Sequence, residues 1–229
     1  MRLQIDMYHR LQIPRIGAME SASGLEANMD WIEDIESLER LYDGKISEAS
    51  VLKVADHITP TYRAWLEAAR FVILSTVGPE GTDASPRGDE GPVVHILDDG
   101  HVALPDWRGN NRLDSLRNIV RDGRVSLMFM VPGSNTVIRL NGAGRLTADE
   151  DLRGKFARKG LLPKTVLVVQ IAEIYTQCAR ALIRSGLWGD IPEPDLPSAG
   201  DVLREMSGGT FDGAKYDVDW PGRAAKSMW

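Results

Sequence analysis

Between residues 71 and 176 the sequence alternates short β-prone runs with short turns, and this alternation restricts the possible folds more than any other feature. The first run, residues 71–77, is rich in β-branched residues and ends at a Gly-Pro-Glu-Gly turn. Similar runs occupy residues 82–87, 93–97, 102–104, 125–131, 136–146 and 165–176. Parallel strands need connections of about a dozen residues, so the short turns here favour antiparallel pairing.

Helical patterns lie on both sides of these runs and between some of them. Apolar residues spaced for one helical face predict a helix over residues 30–42, and Thr59-Pro60 predicts the start of another that continues to residue 69. Further helical segments are expected at residues 112–121, 149–158 and 179–185. About six short strands with helices outside them predict a mainly β fold, an antiparallel barrel that is closed or nearly closed.

Size and composition exclude several classes of protein. The 229 residues suit one large domain with added arms, and the formal charge of −6 argues against nucleic-acid binding through bulk positive charge. The single cysteine, Cys178, excludes an intramolecular disulfide and a multi-cysteine metal site. No apolar run reaches the ~18 residues of a membrane span. The N-terminal sequence lacks the apolar stretch of a secretory signal, so we expect no membrane association and a cytoplasmic location.

The first candidate binding segment is Ser85-Pro86-Arg87-Gly88. An arginine at the end of a strand can present its guanidinium group to a ligand, and the following glycine lets the backbone approach closely. The alternative is an ordinary surface turn with a solvated arginine.

The second candidate segment runs from Leu104 to Arg112, where a predicted strand ends, a glycine and asparagine loop follows and a helix begins. Backbone N–H groups at a helix N-terminus attract anions, and Arg112 can add charge-assisted hydrogen bonds. This combination predicts a phosphate site, although a capped surface helix explains the segment equally well. The glycine spacing fits neither a Walker loop nor a Rossmann fingerprint.

The third candidate segment contains Arg180 and Arg184, which share one helix face, and Trp188, which follows the glycine that ends the helix. An arginine near a tryptophan suits a planar, electron-rich ligand, and it also suits a cation–π pair on the surface. The four histidines, His9, His57, His95 and His101, show no spacing typical of metal ligands.

In their order along the chain, these segments resemble the pyridoxamine 5′-phosphate oxidase-like superfamily of FMN-binding split barrels, and more closely a bacterial branch of it. The matching motifs are Ser85-Pro86-Arg87-Gly88, Pro105-Asp106-Trp107-Arg108-Gly109-Asn110-Asn111-Arg112 and Arg184-Ser185-Gly186-Leu187-Trp188, within a resemblance over residues 38–188. The resemblance implies a six-stranded antiparallel Greek-key split β-barrel and a homodimer with FMN at the subunit interface.

The resemblance also implies roles for individual residues. Arg87 and Arg112 would bind the FMN phosphate, assisted by Asn110 and Asn111. The strand end Leu104-Pro105-Asp106 would lie beside the flavin ring, and Arg184 and Trp188 would reach its pyrimidine side or edge, from the same or the other subunit. The complete implied FMN-binding set is Arg87, Gly88, Leu104, Pro105, Asp106, Asn110, Asn111, Arg112, Arg184 and Trp188.

The resulting hypothesis is an FMN-dependent oxidoreductase that transfers hydride through flavin N5 and acts on a small-molecule redox substrate. No site for a pyridoxal-type substrate is evident, so vitamin B6 oxidation is not inherited. Gln177 stands where related sequences often have histidine, so the role of that histidine is expected to differ here. Three alternatives stay open: a non-catalytic flavin-binding or redox-sensing module, a haem-binding member and a deazaflavin-binding member of the same superfamily.

The expected domain organisation has three parts. An N-terminal arm covers residues 1–28, the FMN-binding domain with its flanking helices covers residues 29–189, and a C-terminal tail covers residues 190–229. The tail begins with a proline-rich stretch and carries aromatic residues near its end. We therefore expect it to dock on the body or on a partner subunit.

Overall fold

The computed structural model describes residues 29–42, 44 and 46–228, so the predicted arm over residues 1–28 lies outside the described part of the chain. Each of the seven β-prone runs forms a strand, within a few residues of its predicted bounds. The strands are β1 (Phe71–Gly78), β2 (Gly81–Gly88), β3 (His95–Asp98), β4 (His101–Asp106), β5 (Arg124–Met130), β6 (Val137–Thr147) and β7 (Thr165–Gln177).

All seven strands belong to one antiparallel sheet in the order β2-β1-β5-β6-β7-β4-β3. The expected count of six strands is wrong, and the sheet is open, whereas the sequence predicted a barrel that is closed or nearly closed. Residues Asp98 and His101 pair across a two-residue turn, which makes β3 and β4 separate members of the sheet. Among the described strands, β2 and β3 lie at the two edges, and no backbone ladder joins them.

Helices flank the sheet and mostly confirm the predicted segments at narrower bounds. They are α1 (Ile35–Tyr42), α2 (Glu48–Leu52), α3 (Pro60–Ala68), α4 (Asp114–Arg121), α5 (Glu150–Gly154), α6 (Arg180–Ser185), α7 (Ala199–Met206) and α8 (Gly213–Ser227). Helix α1 begins later than predicted because Asp34 accepts a hydrogen bond from the Ser37 backbone N–H at 2.7 Å, as an N-cap does. Thr59 caps α3 as predicted, with Pro60 in the first position.

The C-terminal tail contains two helices that the sequence analysis did not predict. Gly200 of α7 and Gly213 of α8 touch through their backbones, since a Cβ atom on either would lie 2.2 Å from the carbonyl oxygen of the other. The Asp217 carboxylate accepts a hydrogen bond from the Gly200 N–H at 2.9 Å. Helices α7 and α8 therefore form a hairpin, and its docking on the body or on a partner subunit stays a prediction.

The main core lies inside the curved sheet. Five fully or almost fully buried leucines come from five different strands, and Leu66 of α3 packs with them. These leucines are Leu74, Leu104, Leu127, Leu140 and Leu167. A smaller cluster of Ala103, Phe156 and Val166 lies under α5 and the segment that follows it. In the described part of the chain, no helix combines the length and apolar character needed to cross a lipid bilayer.

The pairing of β6 with β7 contains a β-bulge. Their register shifts between Asn141 and Gly142, and a Cβ atom at Gly142 would lie 2.0 Å from the Gln170 carbonyl oxygen. Only glycine fits this contact without a backbone shift. Such bulges increase local twist, which lets a seven-stranded sheet coil over its own core.

We expect Gly142→Ala to destabilise the fold by roughly 1–3 kcal/mol, because the added methyl group must displace the β7 backbone. Urea unfolding followed by circular dichroism measures this change. Gly91→Ala is the matched control, since a Cβ atom at Gly91 meets nothing within 4 Å. Equal midpoints for the two variants would contradict the proposed packing at Gly142.

Candidate functional site

The centre of the candidate site is an ion pair between two strands that the sheet order separates. Four strands lie between β2 and β4, yet Arg87 Nη1 at the end of β2 donates to Asp106 Oδ1 at the end of β4 at 2.5 Å. The two side chains are only 24% and 15% exposed. The sheet therefore coils until these two strand ends meet, and we call this junction the seam.

The seam holds the Arg87 guanidinium group over apolar side chains. A small cavity there is lined by Arg87 and Asp106 together with Leu74, Leu104, Pro105, Leu116 and Leu167. The Nε atom of Arg87 is buried and has no hydrogen-bond partner among the described residues. A buried donor without a partner carries a free-energy cost, which a bound anion would remove.

The first turn of α4 lies beside Arg87. Asp83 and Arg87 share the inward face of β2, and Ser115 Oγ of α4 donates a hydrogen bond to the Asp83 carboxylate. Leu116 lines the same cavity as Arg87. The N-cap position of α4 is Leu113, which makes no capping hydrogen bond, so the first N–H groups of the helix lack a side-chain cap. A helix end of this kind favours an anion at the seam.

The loop of residues 107–113 joins β4 to α4 and carries the other predicted phosphate ligands. The Asn110 side-chain oxygen accepts the Arg112 backbone N–H at 2.9 Å, and Arg112 Nε donates to Asp114 Oδ2 at 2.5 Å. Asn111 has a φ of 59°, in the left-handed region. Asn110, Asn111 and Arg112 are exposed, whereas Arg87 at the seam is partly buried.

Lys164, which the sequence analysis did not select, fixes this loop. Its backbone N–H donates to the Asp106 carbonyl at 3.1 Å, and its Nζ donates to the Asn111 side-chain oxygen at 3.1 Å. A single lysine before a β-strand belongs to no recognisable motif. Its position beside the loop follows only from the pairing of β4 with β7.

The structure brings some of the predicted FMN-binding residues together at the seam and places others away from it. Arg87, Leu104, Pro105 and Asp106 surround one cavity, and Gly88 is the last residue of β2. By contrast, Trp188 Nε1 donates to the Ser134 carbonyl in the loop between β5 and β6, at 2.7 Å. Arg184 is exposed, and no hydrogen bond or ion pair in the described structure links Arg184 or Trp188 to the seam. Their contact with a flavin ring stays a prediction.

A second ion pair that sequence analysis missed lies two residues beyond Arg87. Asp89 Oδ1 pairs with Arg158 Nη2 at 2.6 Å, and the Asp89 side chain is only 5% exposed. The His95 ring packs on Phe156 at 4.5 Å between ring centroids. These contacts hold the segment after α5, which leads to Lys164, against the end of β2.

Burial lowers the pKa of the His95 imidazole; the Asp89 carboxylate opposes this shift and the Arg158 charge adds to it. The unfolded chain then binds the proton more readily than the folded one. We therefore expect the contribution of His95 to stability to be fully present above about pH 6.5 and to be lost as the pH falls below that value. Urea unfolding between pH 5 and pH 8 should show a weaker pH dependence in His95→Gln than in the wild type. His57→Gln, at an exposed histidine, is the control, and equal slopes for wild type and His95→Gln would contradict the expectation.

The sequence of this chain matches a known protein family. A family model described as pyridoxamine 5′-phosphate oxidase matches residues 58–178, which is more than half of the chain. The chain belongs to the pyridoxamine 5′-phosphate oxidase family. The matched region contains Arg87, Asp106, Arg112 and Lys164, whereas Arg184 and Trp188 lie beyond it. A search of curated proteins gave no match.

Solved structures with similar folds include HupZ of Group A Streptococcus, at 17% identity and a TM-score of 0.43, which covers 52% of this chain and 93% of that one. A candidate pyridoxamine 5′-phosphate oxidase from Lactobacillus delbrueckii has 22% identity and a TM-score of 0.43, with coverage of 53% and 95%. An FMN-binding protein from Syntrophomonas wolfei has 16% identity and a TM-score of 0.37, with coverage of 62% and 96%.

Proposed function

We propose that this chain is an FMN-dependent oxidoreductase that holds the FMN phosphate at the seam. The observation that carries the proposal is the buried, unpartnered Nε of Arg87 beside the uncapped N-terminus of α4. Membership of the pyridoxamine 5′-phosphate oxidase family supports a flavin-type cofactor.

The donors at the seam fit a phosphate group. Arg87 offers a guanidinium fork, the first turn of α4 offers backbone N–H groups, and the adjacent loop offers Arg112 and two asparagine amides. Phosphate oxygens accept several charge-assisted hydrogen bonds at once, and arginine matches their geometry in a bidentate manner. Asp106 orients Arg87 and reduces the local positive charge.

When bound, FMN supplies hydride transfer at its N5 atom, and the protein supplies binding, orientation and exclusion of water. In this proposal the apolar surface at Leu104 and Pro105 lies beside the flavin ring, while Arg87 and Arg112 hold the phosphate. Arg184 and Trp188 would reach the ring from their position near the loop between β5 and β6.

We also propose that two copies form a homodimer with the cofactor at their interface. Helix α1 supports this arrangement, because it buries none of its residues in the described structure and Ile35, Leu41 and Tyr42 are strongly exposed. Helices of this length are not stable alone in water, so α1 requires a covering surface. Sedimentation analysis of the purified protein tests the dimer, and a monomer with FMN bound would contradict this part of the proposal.

The decisive experiment is native purification, an absorption spectrum and identification of the released cofactor by mass. FMN gives a band at about 450 nm, whereas haem gives an intense band at about 400 nm. A protein that is colourless and rejects added FMN would overturn the proposal, and bound deazaflavin would replace FMN in it. Reduction by NADH or NADPH and reoxidation by an acceptor distinguish an enzyme from a flavin-binding sensor.

A further inference from the structure

We propose that Lys164 is a phosphate-binding residue and makes the site select a phosphorylated flavin over its unphosphorylated form. This inference rests on the proposed function, since it assigns a further ligand and a specificity to the same site. Lys164 lies just before β7, more than fifty residues after the loop that it contacts.

Two contacts fix Lys164 at this place. Its backbone N–H is bonded to the Asp106 carbonyl at the start of the 107–113 loop, and its Nζ is bonded to Asn111 in the middle of that loop. The ammonium group therefore stands next to the residues proposed to hold the phosphate. Since an ammonium group has three N–H donors and one is used on Asn111, two are available to a ligand.

The charges of the neighbouring residues indicate why Lys164 would bind a phosphate. Asp106 pairs with Arg87 and Asp114 pairs with Arg112, so each proposed phosphate-binding arginine has a carboxylate partner. Lys164 is exposed and forms no ion pair with a carboxylate within the described ranges. A phosphate monoester carries a charge of about −1.5 to −2 at neutral pH, and the ion-paired arginines do not balance it alone. Lys164 adds the missing positive charge.

Arg108 is a second exposed cation on the loop, but it differs from Lys164 in one respect. Nothing described in the structure ties its side chain to the loop, whereas Lys164 is bonded to the loop at two points. A held cation loses less conformational entropy when a ligand binds. This difference favours Lys164 over Arg108 as the residue that binds the phosphate.

The test compares FMN with riboflavin, which has the same ring but no phosphate, by fluorescence titration of cofactor-free protein. We expect Lys164→Ala and Lys164→Gln to weaken FMN binding about tenfold and to leave riboflavin binding unchanged. The glutamine variant keeps a side-chain N–H donor on this loop but carries no charge, so it separates charge from hydrogen bonding. Lys155→Ala removes another exposed lysine, between β6 and β7, and should change neither affinity.

The outcomes distinguish this inference from the proposed function. If the wild type binds neither FMN nor riboflavin, the proposed function fails. If the wild type binds FMN and the Lys164 variants keep the same FMN-to-riboflavin affinity ratio, the role of Lys164 alone fails. Full FMN affinity in Lys164→Gln would show that Lys164 only positions the loop, and it would also overturn the inference.

Discussion

Replacing Arg87 with alanine is expected to weaken FMN binding by roughly 10- to 150-fold, the equivalent of about 1.5–3 kcal/mol for hydrogen bonds to a charged group. Arg87 is the most enclosed cation of the seam, and its unpartnered Nε is buried among apolar side chains. Water cannot replace the lost donors easily in such surroundings. Arg87→Lys should lie between wild type and alanine, because it keeps the charge and loses the fork. Isothermal titration with FMN measures all three affinities.

The control for Arg87 is Arg63→Ala. Arg63 pairs with Asp99 at 2.9 Å in an exposed ion pair at the β3–β4 turn, the other end of β4 from Asp106. Exposed pairs of this kind contribute about 0–1 kcal/mol to stability, so Arg63→Ala should fold and bind FMN like the wild type. Unchanged FMN affinity in Arg87→Ala would remove Arg87 from the cofactor site.

The largest expected effect on stability belongs to Arg158→Ala. The substitution leaves the Asp89 carboxylate, which is almost completely buried, without its ion-pair partner. Breaking a buried pair typically costs about 3–5 kcal/mol, and the partial exposure of Arg158 places the expected value near the lower limit. For a chain of this size the melting temperature should fall by about 6–12 °C. Differential scanning calorimetry measures this change.

A double variant shows whether the uncompensated charge is the cause. Asp89→Asn combined with Arg158→Ala replaces the buried carboxylate by a neutral amide, so it should recover much of the lost stability. Arg124→Ala removes an exposed partner of Asp122 and should change the melting temperature little. Equal melting temperatures for Arg158→Ala and Arg124→Ala would show that Asp89 tolerates the loss.

The sequence predicts those parts of the fold that depend on neighbouring residues. The β-branched runs and their turns located each strand, because period-two patterns and turn residues act over a few positions. The runs over residues 93–97 and 102–104 located β3 and β4, although the expected total of six strands did not follow from the runs themselves. Helices α7 and α8 were not predicted because they contact each other through Gly200 and Gly213, and glycine has low helix propensity.

The sequence predicted only those features of the candidate site that depend on adjacent residues. The strand end at Arg87 and the loop before α4 were each recognisable as possible anion sites from adjacent residues. The contact between Arg87 and Asp106 depends on how the whole sheet coils, and the place of Lys164 depends on the pairing of β4 with β7. No local pattern contains either relation, so both required the tertiary structure.

The seam also has a thermodynamic consequence for the whole chain. Side chains, and no backbone ladder, connect β2 to β4, so this junction is the part of the barrel that costs least to open. A molecule that touches Arg87, the start of α4 and Lys164 together would tie the end of β2 to the ends of β4 and β7. Cofactor loading and folding would then be linked equilibria, in which the concentration of free cofactor sets how firmly the protein stays closed.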